Sequence, residues 1–273
     1  MPFVTRENRR LHYEVIDRCA PWSSAQPPII FHHGVGSESG IWTDWITLLA
    51  SRYRLITFDM CGFGKSDVPD DKFRWSMEVL SDDLLAVAGA ADASRFHFIG
   101  ESMGGTIGLY CAINNPDRFE TLVISNGSHM GGSIENVGKW EIQIKRDGMR
   151  GWSAQFMEDR FFAGSLSDEK FRWFAEQQAA GNPKAILGAL SALVGTDLRA
   201  ELDSILHPVL LLHADSSPFI PATIMADLHS VLANSEMQIF AHAKHGLPFS
   251  HGPECAAIVQ DFLARQLKKQ TLQ

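Results

Sequence analysis

The chain has no long block of like charge: its 24 lysines and arginines alternate with 32 aspartates and glutamates, for a net charge of -8 over 273 residues. Such a chain carries no electrostatic footprint for nucleic acid or for an anionic membrane surface, so the expected partner is a small-molecule substrate. Nowhere does the sequence reach the roughly 18 to 20 consecutive apolar residues of a spanning helix, and no membrane partner is expected. Cysteine is scarce. Cys19, Cys61, Cys111 and Cys255 stand apart with no CxxC pair among them, which fits reduced thiols better than a disulfide framework or a zinc site. Residues 1–15 carry Arg6, Glu7, Arg9 and Arg10 but no apolar stretch of the kind a secretory leader needs, so the expected location is cytoplasmic. The sequence leaves a homo-oligomer open.

With 45% hydrophobic and 21% charged residues the composition is that of an ordinary globular protein. The length suits one large α/β domain, with or without an insertion. Short apolar runs at 28–32, 53–58, 96–99, 122–125, 209–213 and 237–240 alternate with longer amphipathic stretches. A continuous apolar run is the pattern of a strand buried on both faces, and the stretches between supply crossover helices. The expectation is an α/β fold with a mostly parallel, doubly wound sheet. Segments 3–5 and 11–16 suit an antiparallel hairpin at its edge.

Between 127 and 200 the strand rhythm stops, and Trp140, Trp152, Phe156, Phe161, Phe162, Phe171, Trp173 and Phe174 crowd into helix-like segments. The expected organisation is a core of residues 1–127 and 201–273, with 128–200 inserted as a helical cap. Most of these aromatics should pack the cap itself, although a lid also lines the cavity it covers. Residues 254–267 place Cys255, Ile258, Val259, Phe262 and Leu263 at helical spacing, the pattern of a closing amphipathic helix.

Three segments carry chemistry. The apolar run Phe96 to Ile99 passes into Gly100, Glu101, Ser102, Met103 and Gly104, then into the apolar helical pattern of 106–113. This G-x-S-x-G lies at a strand-to-helix turn, where glycines remove the Cβ atoms that would collide and a serine hydroxyl stands above the sheet, so Ser102 is the expected nucleophile. A second apolar run ends in His33, Gly34, Val35 and Gly36. As the third strand it matches the place from which folds with such an elbow supply a second oxyanion donor, and the candidates are the backbone N–H groups of Val35 and Met103. His32 and His33 are expected to brace that loop. The third segment, Ala243 to Pro248, follows the last predicted strand and contains His245, the expected base. The nucleophile comes first and the histidine last in this order, and His242 and His251 are nearby rivals.

Together these residues resemble the α/β-hydrolase superfamily over nearly the whole chain. The run from Phe58 to Asp67 is similar to the family's D-x-x-G-x-G-x-S segment, in which Asp59 would be structural. The elbow and the helical insertion are similar to those of enol-lactonases, carboxylesterases and carbon-carbon bond hydrolases. The resemblance also implies an acid four residues before a proline in the loop after 209–213; counted back from Pro221 that position is Ser217. Asp215 is the only carboxylate in 214–218 and is the expected third member. The family's other acid position, after 122–125, holds Asn126 and Gly127; an asparagine can orient an imidazole but cannot stabilise its positive charge.

The expected activity is hydrolysis of a carboxylic ester or lactone of a small, partly apolar molecule through an acyl-Ser102 intermediate. Carbon-carbon bond hydrolysis of a diketone-like substrate uses the same constellation, as do thioester and amide cleavage. A lyase, a cofactor-free oxygenase or a non-catalytic receptor are further alternatives on this fold. A serine at position 102 argues against dehalogenation and epoxide hydrolysis, for which the fold uses an aspartate. No cofactor and no metal are expected, because a Ser-His site needs neither.

Overall fold

The computed structural model describes residues 2–135 and 138–271, and in it the apolar runs become the strands of one sheet. β1 (Phe3–Arg6) and β2 (Arg9–Ile16) form an antiparallel hairpin. β3 (Ile29–His32), β4 (Leu55–Phe58), β5 (Phe96–Glu101), β6 (Phe119–Ser125), β7 (Val209–Ala214) and β8 (Ser235–Phe240) follow. The order across the sheet is β1-β2-β4-β3-β5-β6-β7-β8. β2 runs antiparallel to β4, and every pairing from β4 through β8 is parallel.

Side chains alternate along each strand, which decides what packs on either face. Ile30, Ile56, Phe96, Phe98, Leu122, Ile124, Val209 and Leu211 point one way, into a core closed by α2 (Met77–Ala90), α3 (Met103–Asn114) and α7 (Ala222–Val231). Ile29, Phe31, Leu55, Ile99, Val123, Leu210 and Leu212 point the other way, against α1 (Thr43–Leu49) and α9 (Gly252–Thr271). The closing helix therefore extends beyond the span that its apolar stripe marks, because its last turn is polar. β8, at the open edge, alternates between half-buried and exposed residues.

Between β6 and β7 the described residues form no named strand. α4 (Gly138–Arg160), α5 (Asp168–Ala179) and α6 (Pro183–Val194) fill the interval. Local chemistry marks the starts of the last two: Ser167 accepts from Lys170 N–H, and Asn182, followed by Pro183, accepts from Lys184 and Ala185 N–H. α4 breaks at Gly148, whose φ of 67° is in the left-handed region. These helices pack across the carboxyl ends of the strands in a third apolar cluster that joins Trp140, Trp152, Phe156 and Leu190 to Val35, Met103 and Phe219. Among the described residues no helix is long and apolar enough to cross a membrane. The four cysteines are unpaired, and burial pushes the Cys61 thiol up to about 12 and that of Cys111 to about 11.

Burial also holds seven imidazoles below the ordinary histidine value: His32 at about 3, His97 and His213 at about 4, and His33, His129, His207 and His245 in the same direction. The unfolded chain takes up these protons near pH 6.5. The native state refuses them until lower pH, so the unfolded state binds more protons and stability falls as pH drops below about 6.5. Raised carboxyls such as Asp83, at about 6, act in the opposite sense but are fewer. Thermal unfolding at pH 5 is expected several degrees below that at pH 7.5; equal midpoints would contradict burial of these histidines as neutral rings.

Candidate active site

β5 ends at Glu101 and α3 begins at Met103, which leaves Ser102 alone to turn the chain. Its φ of 53° and ψ of -121° are outside the regions a serine ordinarily occupies, a strain on the order of 1 to 3 kcal/mol. Close backbone approach enforces the glycines around it. A Cβ on Gly100 would lie 2.6 Å from Gly105 N, and one on Gly104 would lie 2.4 Å from the His32 carbonyl oxygen. Ser102 N–H donates to the Ser125 carbonyl at 2.8 Å, tying the turn to the end of β6. The hydroxyl thus stands over the carboxyl edge of the sheet.

His245 lies in the loop between β8 and α8 (Leu247–Ser250). Its Nε2 is 2.9 Å from Ser102 Oγ. Asn126, at a φ of 48°, braces the loop from the end of β6: its Nδ2 donates to the His245 carbonyl at 2.9 Å, and its Oδ1 accepts from Ala214 N–H at 2.9 Å. The Phe219 ring stands perpendicular to the imidazole, 4.9 Å between centroids. Burial, the Arg160 guanidinium and His213 hold the His245 ring well below the ordinary histidine value, so it is neutral and able to accept a proton. The rivals are turned elsewhere: His242 stacks on Phe162 at 4.3 Å, and His251 Nδ1 meets Ser250 Oγ at 2.8 Å.

The expectation for Asp215 is corrected by the geometry. Its carboxylate is exposed and accepts from the backbone N–H groups of His242 and Ala243 at 2.9 and 3.2 Å. Those bonds keep it below the usual carboxylate value. His245 Nδ1 instead meets Ser217 Oγ at 3.0 Å. When Nε2 accepts the Ser102 proton, Nδ1 carries the other hydrogen and donates it to Ser217, whose oxygen also accepts from Ile220 N–H at 3.3 Å. A serine thus occupies the position four residues before Pro221.

The two oxyanion candidates flank Ser102. Met103 opens α3, where leading N–H groups lack an intrahelical acceptor, and Val35 borders the same cavity as Ser102. The Val35 loop is held from below and from above. Below it, His33 Nδ1 pairs with the Gly34 carbonyl at 2.8 Å while its Nε2 accepts from Met60 N–H at 2.9 Å. His32 Nδ1 donates to the His33 carbonyl at 2.8 Å. Asp59 accepts from Ser39 N–H and Lys65 N–H at 2.8 and 3.0 Å, anchoring the next loop.

From above comes a residue that the motifs do not reveal. Arg160, 2% exposed at the end of α4, donates to the Val35 carbonyl at 2.7 Å and to Glu101 Oε1 at 3.2 Å. Burial raises the Glu101 carboxyl above its ordinary value, a rise that the facing guanidinium opposes. The available sequence signal is its helical spacing after Phe156 and Met157, which puts it on the buried face of α4. Val35, Ile134, Trp140, Arg160, Leu190, Leu193, Phe219, Ile220 and His245 enclose a cavity of about 20 Å³ over Ser102, room for about one water. Of the aromatics between 128 and 200, Trp140 reaches this cavity, while Trp152 and Phe156 stack at 4.6 Å and Phe161 and Phe174 meet edge to face at 5.1 Å. Among the described residues no group of three or more His, Cys, Asp or Glu side chains is placed to hold a metal ion.

The profile of the family described as the alpha/beta hydrolase fold matches residues 27–252. A protein of Pantoea ananatis named as a carbamate hydrolase is 25% identical over 87% of this chain and 88% of its own. A 2-hydroxymuconate semialdehyde hydrolase of a Pseudomonas species is 26% identical over 89% of this chain and 88% of its own. Among solved structures, the enol-lactonase from Burkholderia xenovorans superposes with a TM-score of 0.87 at 21% identity, covering 96% of this chain and all of that one.

The corrected geometry makes a direct prediction for one variant of the loop after β7. Asp215→Asn keeps one acceptor for the backbone pair and leaves the His245 ring untouched, so kcat on any turned-over substrate is expected within about threefold of wild type. Removing the charge of a true triad acid costs about four orders of magnitude. A loss of that size in Asp215→Asn would return the acid role to Asp215.

Proposed function

The chain belongs to the alpha/beta hydrolase fold family, and from that premise we propose that it cleaves a carboxylic ester or lactone of a small, partly apolar molecule through an acyl-Ser102 intermediate. The observation that carries this reading is the 2.9 Å contact of His245 Nε2 with Ser102 Oγ beneath an apolar roof. A hydroxyl at that distance from a neutral imidazole is a paired nucleophile and base.

As Ser102 Oγ attacks the acyl carbon, its proton passes to His245 Nε2. The carbonyl oxygen becomes an oxyanion beside the N–H groups of Val35 and Met103, a preorganised pair of donors of which each is worth about 3 to 4 kcal/mol. The imidazolium then gives its proton to the leaving oxygen, and the acyl group stays on Ser102. Water enters, loses a proton to His245 and attacks the acyl carbon; collapse of the second intermediate frees the acid and returns the proton to Ser102. In a lactone the leaving oxygen is tethered to the acyl group, so a single hydroxy acid departs.

Ile134, Leu190, Leu193, Phe219 and Ile220 suit an apolar acyl portion. A cavity with room for about one water admits no ester as it stands. We take the helices of residues 128–200 as a cap that moves away from Ser102 to admit substrate. The names of the relatives, an enol-lactonase and a semialdehyde hydrolase among them, support hydrolysis at a carbonyl without choosing the substrate.

The test is a panel of activated esters, simple lactones, enol-lactones, a carbamate and a diketone-like substrate, turned over by wild type and by Ser102→Ala prepared identically. Turnover of an ester or lactone is expected, with a fall in kcat of roughly 10⁴ to 10⁶ on substitution. Equal inactivity of both proteins toward every ester and lactone would overturn the proposal, and turnover of the diketone alone would replace it with carbon-carbon bond hydrolysis.

A further inference from the structure

Among the described residues a hydroxyl, and no carboxylate, meets the far nitrogen of His245. Every element packed around the ring agrees with this. β7 contributes His213, fully buried, and the loop after it contributes Ser217, while Asp215 turns to the backbone of His242 and Ala243. The end of β6 contributes Asn126, which is neutral. α4 contributes the Arg160 cation, and the Glu101 carboxylate of β5 is engaged with that guanidinium. On the ring's own loop, Lys244 donates to the Glu158 carbonyl and His242 stacks on Phe162.

We propose that Ser217 is the positioning residue of this site, fixing the tautomer and aim of His245 in the place where a carboxylate would also supply negative charge. The proposal takes Ser102–His245 as the working pair and goes on to how that pair is held. Ser217 Oγ is suited to the task because Ile220 N–H fixes it from the other side, leaving a lone pair for the His245 Nδ1 hydrogen. With Nδ1 protonated, Nε2 is an acceptor and faces Ser102. The missing charge has a cost and a consequence. The imidazolium formed during attack is not stabilised by an anion, which slows the step. Burial, Arg160 and His213 hold the resting ring in its unprotonated form, and no anion at Nδ1 opposes them. The pair therefore keeps its base form at a pH where a carboxylate-backed histidine has already taken up a proton.

The experiment joins two readouts: ring ¹⁵N spectra of histidine-labelled protein between pH 4.5 and 8.5, and kcat and KM over the same range on the best ester of the panel. Wild type, Ser217→Ala, Ser217→Thr and Ser217→Asp are compared. In wild type the His245 ring is expected to remain the Nδ1-protonated neutral form down to pH 5, with no acidic limb in kcat/KM above that pH. Ser217→Ala should mix the tautomers and lower kcat at least tenfold with KM within twofold, and Ser217→Thr, which restores the hydroxyl, should recover both. Ser217→Asp should bring the ring's titration up to or beyond pH 6.5, with an acidic limb in the rate to match. An unchanged tautomer and unchanged kcat in Ser217→Ala would overturn the proposal, and so would a Ser217→Asp protein, folded by its thermal transition, whose ring titrates as in wild type. If Ser217→Asp does not fold, the alanine and threonine pair decides. The spectra need no turnover, so inactivity of wild type toward every ester would remove Ser102 as nucleophile while the tautomer result still decides the role of Ser217.

Discussion

The turn at Ser102 is the constraint around which the molecule is arranged. β5 and α3 are separated by one residue, and that residue stays at a φ of 53° only because its surroundings leave it no alternative. Three neighbouring strand ends supply those surroundings. The His32 carbonyl at the end of β3 lies where a side chain on Gly104 would be, and the Ser125 carbonyl at the end of β6 takes the Ser102 N–H. From β7, Ala214 N–H holds Asn126, and through it the His245 carbonyl. The strain is small beside the burial of a sheet covered on both faces, and it stands at the carboxyl edge, where parallel strands end together and loops from different crossovers converge.

A second, polar constraint joins the helices over that edge to the sheet below. Arg160 reaches down from α4 to the Val35 carbonyl and the Glu101 carboxylate, next to both oxyanion candidates. A buried ion pair of this kind gives little net stability, since the loss of hydration offsets the attraction. Its value is geometric. It makes the position of α4 and the shape of the loop at Val35 depend on one another, so a change in the roof is felt at Ser102. The same guanidinium disfavours positive charge on His245, and the serine at Nδ1 does nothing to restore it.

The strands were legible because each is a continuous apolar run between helical stretches, and a parallel sheet covered on both faces requires that pattern. The hairpin at 3–16 was legible from its two short runs at the start of the chain. The turn at Ser102 could be read because it needs glycines at fixed offsets between a strand and a helix, and the loop of His245 because it follows the last strand. Asp215 misled for a physical reason. Sequence places it beside the end of β7 but does not say which way its carboxylate turns, and two backbone N–H groups at 242 and 243 capture it. Ser217, one side chain further round the same loop, carries no charge to draw attention. Arg160 was hidden because an arginine at a helix end ordinarily lies in water, and only the fold of 128–200 over the sheet places it in the interior.

The claim on which the rest depends is that Ser102 is a covalent nucleophile, and trapping tests it most directly. The protein would be incubated with a small aryl phosphonate ester that stops at the phosphonylated hydroxyl, and intact mass and peptide mapping would then locate the adduct. The account predicts one equivalent of label, carried by the peptide that contains Ser102 and absent in His245→Ala. No label under conditions where the reagent is consumed by other serine hydrolases, or label on another residue with Ser102 unmodified, would contradict it.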